Sequence, residues 1–303
     1  MNNHDYIPQS DSRFPQRLRD IPNQPVGIYT RGQLPNEGTP AVAIVGTRDN
    51  TIYGRKAAHH LAKELAAVGV VIVSGMARGL DAHAHKGALE AGGTTIAVLP
   101  SGIDICYPYE NQQLYNKIPH HGALVTELPL GSRPQAGTFH ARNRIIAGLA
   151  DAVIVVEAEE RSGTSITVGH ALDQGKEVLA VPGDIFSRKS KGTNQLIKDG
   201  ATPITNYLDA IISLKSQRHL EKFFEATKPV KQALSENLAT NPSKITLATD
   251  ATLVYSCINY EPMSIEYIVQ TTGLGVSNVN RILLELEISS LVKKLAGNKY
   301  IRI

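Results

Sequence analysis

The 303-residue chain holds two cysteines, Cys106 and Cys257, far apart and in no CxxC pair. That excludes a disulfide framework and a thiolate zinc site. No apolar run approaches eighteen residues, and the opening "MNNHDYIPQSDSRFPQRLRD" lacks the apolar stretch of a secretory signal, so neither a membrane span nor export is expected, and the cytoplasm is the expected location. Excess charge is also missing. A net charge of +3 permits a polyanionic partner without requiring one, so the positions of the Arg and Lys residues must decide. Nor does the chain contain G-x-G-x-x-G, G-x-x-x-x-G-K-[ST] or G-x-S-x-G, which removes the familiar dinucleotide, P-loop and serine-hydrolase readings.

What is present is regular. With 42% hydrophobic residues the chain can bury one large core and a smaller second one, so two domains are expected. From residue 41, β-branched apolar runs alternate with Gly-containing turns and helix-period segments. The runs are "AVAIVG" (41–46), "VVIVSG" (70–75), "TIAVLP" (95–100), "ALVTE" (123–127), "DAVIVVEA" (151–158) and "EVLAVP" (177–182). Continuous hydrophobicity implies strands covered on both faces, hence an α/β fold: a doubly wound, Rossmann-like, mostly parallel sheet over residues 41–215. Residues 1–40 read as a lead-in packing on that core, and the polar residues 216–249, with Pro229 and Pro242, as a linker. Residues 250–303 hold three helical segments and a hairpin turning at Gly297-Asn298, the pattern of a small winged-helix domain.

Ligands of open parallel sheets sit at the carboxyl ends of the strands. Four turns there are rich in Gly, Ser and Thr: "GTR" (46–48), "SGMARGLD" (74–81), "RSGTSIT" (161–167) and "PGDIFSRKSKGTN" (182–194). Each leads towards a helix, whose free N–H groups favour anions. One such turn is ordinary turn geometry, whereas four along one edge point to phosphate. The candidates are Gly46, Thr47, Arg48, Ser74, Gly75, Arg78, Gly79, Ser162, Gly163, Thr164, Lys191 and Gly192, with Lys189 extending the rim. In "FHARNRIIAGLA" (139–150), Arg142 and Arg144 flank Asn143 at a helix start, where like charge opposes the dipole unless an anion is present. The alternatives are a solvated helix start or a phosphate clamp with Phe139 or His140 as a stacking surface. Asp81, His83 and His85 do not make a metal site, because on a helix 81 and 85 share a face and 83 points away. Asp81 fits better as a carboxylate that caps and stiffens the turn before it, and both histidines as packing residues. No metal and no cofactor are expected.

The motifs "VAIVGTR", "SGMARGLDAHAHKGAL", "GGTTIAVLPSGIDICYPYEN", "TELPLG", "FHARNRIIAGLADAVIVVEA", "SGTSITVGHALDQGKEVLAVPG" and "GTNQLIKDGA", in this order, resemble those of the DNA-processing protein A (DprA/Smf) family over roughly residues 5–303. The resemblance implies an extended Rossmann fold that binds single-stranded DNA, self-associates as a homodimer, protects incoming DNA and loads the RecA recombinase during natural transformation. It also implies DNA contacts at Gly46, Thr47 and Arg48, its G-[ST]-R motif, and at Arg142 and Arg144, its R-N-R motif. Some members carry a helical domain before the core, and with about forty residues before "AVAIVG" that module is expected to be missing. Arg281 faces Glu285 and Glu287 on the expected recognition helix, "SNVNRILLELEISS", which favours a protein-contact role for residues 250–303 over DNA reading. Lys293, Lys294, Lys299 and Arg302 on the hairpin keep a DNA-contacting wing as the minority reading.

Two rivals follow. One is a phosphoribohydrolase-like enzyme of the same superfamily, recognised by P-G-G-x-G-T-x-x-E; here the comparable turn reads "ERSGTSITVGH", with Val168 or the neighbouring Thr and Gly where the carboxylate is needed, leaving Glu127 and Asp81 as acid/base candidates. The other is a transcription factor acting through the winged helix. A non-catalytic binder is the favoured expectation. In the "NQLIKDGA" helix, Leu196 and Ile197 read as core or as a subunit contact.

Overall fold

The computed structural model describes residues 4–160, 162–217, 220, 223–224, 249–259, 262–288, 291–295 and 297–302. The chain divides into two compact units, residues 1–236 and 237–303.

The first unit is built on nine strands: β1 (Asp5–Pro8), β2 (Gly27–Gly32), β3 (Ala41–Val45), β4 (Val71–Ser74), β5 (Thr95–Val98), β6 (Gly122–Thr126), β7 (Ala152–Val155), β8 (Glu177–Ala180) and β9 (Thr202–Pro203). Their order is β1-β2-β6-β5-β4-β3-β7-β8-β9. From β6 to β9 every pairing is parallel, whereas β2 joins β6 and β1 joins β2 antiparallel. The lead-in therefore extends the sheet itself, an element the sequence reading placed only on the core. Among the described residues its α-helices include α1 (Gln16–Arg19), α2 (Ile52–Ala67), α3 (Leu80–Glu90), α4 (Gln112–Lys117), α5 (Ala136–Leu149), α6 (Thr164–Asp173), α7 (Lys191–Lys198) and α8 (Tyr207–Lys215).

Strand alternation sorts the core into two layers. Ala41, Ala43, Val45, Val71, Val73, Val153 and Val155 pack with Leu18, Ile145, Ile146, Leu149 and Val168 on one face. Val42, Ile44, Ile72, Ile154 and Leu179 pack with Leu61, Leu65, Ala84, Ile211 and Leu214 on the other. Leu220 and Phe224 join that second layer, so the expected linker begins by packing on the core; most of residues 216–249 lies outside the described residues.

Because β3 pairs with β4 on one side and β7 on the other, the connections leaving β3 reverse direction there. This switch point opens a crevice at the carboxyl ends of β3 and β7, the position where such sheets take their ligands.

The second unit holds α9 (Thr249–Cys257), β10 (Met263–Ser264), α10 (Ile265–Thr272), α11 (Val276–Ile288), β11 (Val292–Leu295) and β12 (Lys299–Arg302). Its three strands are antiparallel in the order β10-β12-β11. Gly297 and Asn298 both have positive φ, the geometry of a tight hairpin turn. Val254, Ile268, Val279, Leu283, Leu286, Val292 and Tyr300 form its core. The result is a winged helix.

Candidate nucleic-acid interface

All four turns lie at the carboxyl edge of the sheet, and two of them pack together. Leu80 N donates to Thr47 O at 3.4 Å, and a Cβ on Gly79 would lie 2.6 Å from both Thr47 O and Arg48 O. Gly79 also has φ +82°, so a side chain there would be strained as well as crowded. Gly46 backs onto Leu80 and Glu157 in the same way. Thr47 anchors the first turn: its N–H donates to Glu157 O at 2.9 Å and its Oγ1 accepts from Asp49 N at 3.2 Å. The second turn is pinned by Asn111, whose Nδ2 donates to Met76 O at 2.8 Å.

Out of this scaffold projects Arg48. It is exposed, forms no ion pair among the described residues, and its guanidinium lies 4.9 Å from the centre of the Phe139 ring. Tyr107 meets that ring edge-on at 5.6 Å. Sequence reasoning missed Tyr107 and also Arg133, an exposed cation on the loop after β6. Arg78 is exposed but bound bidentately to Glu110, with both contacts at 2.6 Å; such a surface pair contributes at most about 1 kcal/mol and is open to exchange with phosphate. Lys191 is exposed, and Gly192 holds the start of α7 by donating to Ala158 O at 2.8 Å. Asn143 is half-buried at Arg142 Nε, 3.2 Å from its Oδ1.

Several expected contacts are not on the rim. Arg142 is buried, and its Nη1 donates to Gly75 O at 2.6 Å and to Val98 O. It closes the ends of β4 and β5 from beneath. Its guanidinium fills the space a Cβ on Gly75 would need, 2.4 Å from that position, which is the reason for glycine there. Burial lowers the Arg142 pKa to about 10 against the restoring attraction of Asp81. Arg144 is also withdrawn, gripped bidentately by Glu127 at 2.8 and 2.6 Å and donating to Asn23 O at 2.9 Å. The R-N-R motif is thus no exposed clamp, because α5 packs over the strand ends and turns its arginines inward. Glu127, held in this pair, is no free acid or base. The Ser74 hydroxyl is buried and donates to Ile44 O at 2.6 Å, inside the sheet. Lys189 bridges Asp49 at 2.7 Å and Glu159 at 2.8 Å.

Asp81 accepts from Gly75 N at 3.2 Å and Ala77 N at 3.4 Å, the turn cap expected. Burial raises its pKa against the opposing pull of Arg142 and those amides. His85 is buried, with Nδ1 2.7 Å from Thr95 Oγ1, which itself donates to Ile72 O; Nδ1 therefore carries the proton. Burial and then Arg142 lower its pKa to about 3, so it is a neutral packing residue. Half-buried His83 is shifted down too, first by desolvation. Among the described residues no group of His, Cys, Asp and Glu could hold a metal ion. The third turn presents Gly163 exposed at the start of α6, while Thr164 is buried and buried Ser162 Oγ has no hydrogen-bond partner.

At the switch point the start of α2 is capped from within the chain. Glu157, two residues past the end of β7 and 1% exposed, accepts from Thr51 N at 3.0 Å and Thr51 Oγ1 at 2.5 Å at the start of α2. A Cβ on Gly54 would lie 2.1 Å from its Oε2. A carboxylate of the chain thus occupies the helix end where a Rossmann domain takes a nucleotide phosphate.

Residues 5–215 match the sequence model described as DNA recombination-mediator protein A. The chain belongs to this family. Residues 239–298 match the DprA winged helix domain. The protein Smf of Synechocystis is 33% identical over 320 residues, covering 99% of this chain and 80% of that protein. The DNA processing protein DprA of Bacillus subtilis is 42% identical over 200 residues, covering 65% of this chain and 67% of its own length. Among solved structures, DprA of Streptococcus pneumoniae superposes with TM-score 0.66 at 37% identity, over 69% of this chain and 74% of that one. The Helicobacter pylori protein, solved in a study of its single-stranded DNA binding mode, gives 0.63 at 31% identity over 71% and 96%. Like these DprA proteins, the chain carries a Rossmann-like sheet, with a winged helix in its second unit. No described helix is long and apolar enough to cross a membrane.

Proposed function

We propose that this member of the DprA family binds single-stranded DNA along the carboxyl edge of its sheet and acts without breaking a bond, as a cytoplasmic recombination mediator. It protects incoming DNA and loads RecA during natural transformation, working as a homodimer. The observation that carries the reading is Arg48: an exposed guanidinium with no ion pair among the described residues, seated on the Phe139 ring at the sheet edge. Such a pair serves a phosphate and an unstacked base together, whatever the sequence. Arg78, Lys191 and the Gly163 amide extend it, and the single-stranded DNA studied with the H. pylori relative supports it. RecA and self-association come with the family. Leu196 packs partly on the core, which leaves half-buried Ile197 as the more available side chain of α7 for a second copy.

The enzyme reading is disfavoured by Glu157, whose carboxylate fills the place of a nucleotide phosphate, and by Thr167 and Val168, buried non-acidic residues in the stretch where the comparable enzymes need a carboxylate. For the second unit we favour protein contact. Arg281 is bound to Glu285 at 2.5 Å, and Arg302 donates to Tyr255 O and stacks on that ring, so exposed Lys293, Lys294 and Lys299 are its remaining wing cations.

Fluorescence anisotropy with a labelled oligothymidylate and a duplex of equal length, at several salt concentrations, tests the reading. The single strand should be preferred, with about four phosphates neutralised and a log–log salt slope near −3. Equal or tighter duplex binding, or no single-strand binding at moderate salt, overturns it. Release of adenine from AMP overturns the non-enzyme assignment.

A further inference from the structure

After β8 the chain runs through "PGDIFSRKSKG" (182–192) into α7, and this loop is built to stay in one conformation. Tyr53 donates its hydroxyl to Pro182 O at 2.9 Å. Gly183 and Asn194 exchange hydrogen bonds of 3.1 and 3.0 Å, and Phe186 N and Ser187 N donate to Asp184 at 2.8 and 3.1 Å. Yet its tip carries Ile185, 74% exposed, and Phe186, 87% exposed, the most exposed large apolar side chain among the described residues. Single exposed apolar residues are ordinary. Two adjacent ones on a braced loop are not explained by folding, since sheltering a phenylalanine from water is favourable.

The surroundings say what the ring faces. Arg188, 81% exposed and in a long 3.8 Å surface pair with Glu159 that a phosphate can displace, and exposed Lys191 follow within five residues, and Lys189 ties the loop to Asp49, the neighbour of Arg48. The tip is continuous with the cationic edge described above. An apolar ring beside exposed cations suits neither a hydrocarbon partner nor a duplex, whose base faces are already stacked; it suits an unpaired base whose neighbouring phosphate needs counter-charge.

We propose that Phe186 is a base-stacking residue, its ring taking the face of an unpaired nucleobase while Arg188 and Lys191 hold the adjoining phosphates. The proposal rests on the single-strand reading above and adds to it a contact on the far side of Arg48's turn. Pre-ordering of the loop lowers the entropic cost of making that contact.

The chain has no tryptophan, so Phe186→Trp in the full chain places one reporter at the tip. Oligothymidylate should quench its emission strongly, while a duplex, or an oligomer abasic in its central nucleotides, should not. Phe186→Tyr should bind like the parent, and Phe186→Ala about ten-fold more weakly, with unchanged melting. If anisotropy reports binding while the tryptophan emission stays constant, or if Phe186→Ala binds as tightly as the parent, Phe186 does not stack and the single-strand reading stands. If anisotropy reports no binding by the parent either, that reading falls and takes the proposal with it. Loss of self-association by Phe186→Ala with DNA affinity intact overturns the proposal in favour of a second copy of the chain.

Discussion

The carboxyl edge of the sheet has two storeys of polar side chains, and they obey different physics. In the upper one, Arg48, Arg78, Lys191 and Phe139 face water and are held loosely or not at all. In the lower, Asp81, His85, Arg142 and Glu157 are buried and hydrogen-bonded to the turns, strand ends and side chains around them. Water screens the upper charges and leaves them exchangeable, so they can serve a ligand. Desolvation makes each lower charge costly unless its partners stay in place, so those charges fix geometry. Residue type alone does not separate the two, since arginines stand in both.

The largest effect expected from breaking the distinction is on stability. Arg142→Met removes a buried guanidinium, strands the carbonyls of Gly75 and Val98, and leaves Asp81 without its compensating charge; a loss of about 3–5 kcal/mol is expected. Denaturant melts check this, and a parent-like midpoint would move Arg142 to the upper storey. Next comes acid. The pKa of His85 is lowered to about 3 in the folded protein from an ordinary 6.5, so between those values the unfolded chain binds the extra proton. Its contribution to stability is intact above pH 6.5 and declines by roughly 1.4 kcal/mol per unit as pH falls towards 3. Melts of the parent and His85→Gln across that window should differ in slope, the variant being flatter.

Upper-storey changes should be smaller and appear in binding. Arg48→Ala is expected to weaken single-strand affinity about ten-fold and, with one phosphate fewer neutralised, to reduce the salt slope by about 0.7, without moving the melting midpoint. A stability loss comparable to that of Arg142→Met would erase the division between storeys. Smallest of all, Arg281→Ala on α11, already paired with Glu285, should leave single-strand affinity within two-fold of the parent.

The same division marks what the sequence made legible. Six strands could be located from their apolar runs because two-sided burial leaves an unbroken signal, and the hairpin at Gly297-Asn298 from its turn chemistry. β1, β2 and β9 escaped notice: "DYIP", "GIYTRG" and "TP" are short, mixed segments at or near the sheet edges, where one-sided exposure blurs the pattern. For the candidate site, the turns and Arg48 were readable as composition. The inward turn of Arg142 and Arg144 was not, because it depends on α5 lying across strands far away in sequence. Glu157 did leave two traces, a carboxylate at the end of "AVIVVE" and a glycine at position 54 inside the first turn of a helix. Both are local anomalies that only a close approach between them explains.

That approach has a further consequence for how the domain lives in the cell. Many folds of this architecture tighten when a small phosphorylated metabolite docks, so their melting point tracks its concentration. Here Glu157 is attached by a peptide bond and always at full occupancy. The melting temperature should therefore be indifferent to added mononucleotides.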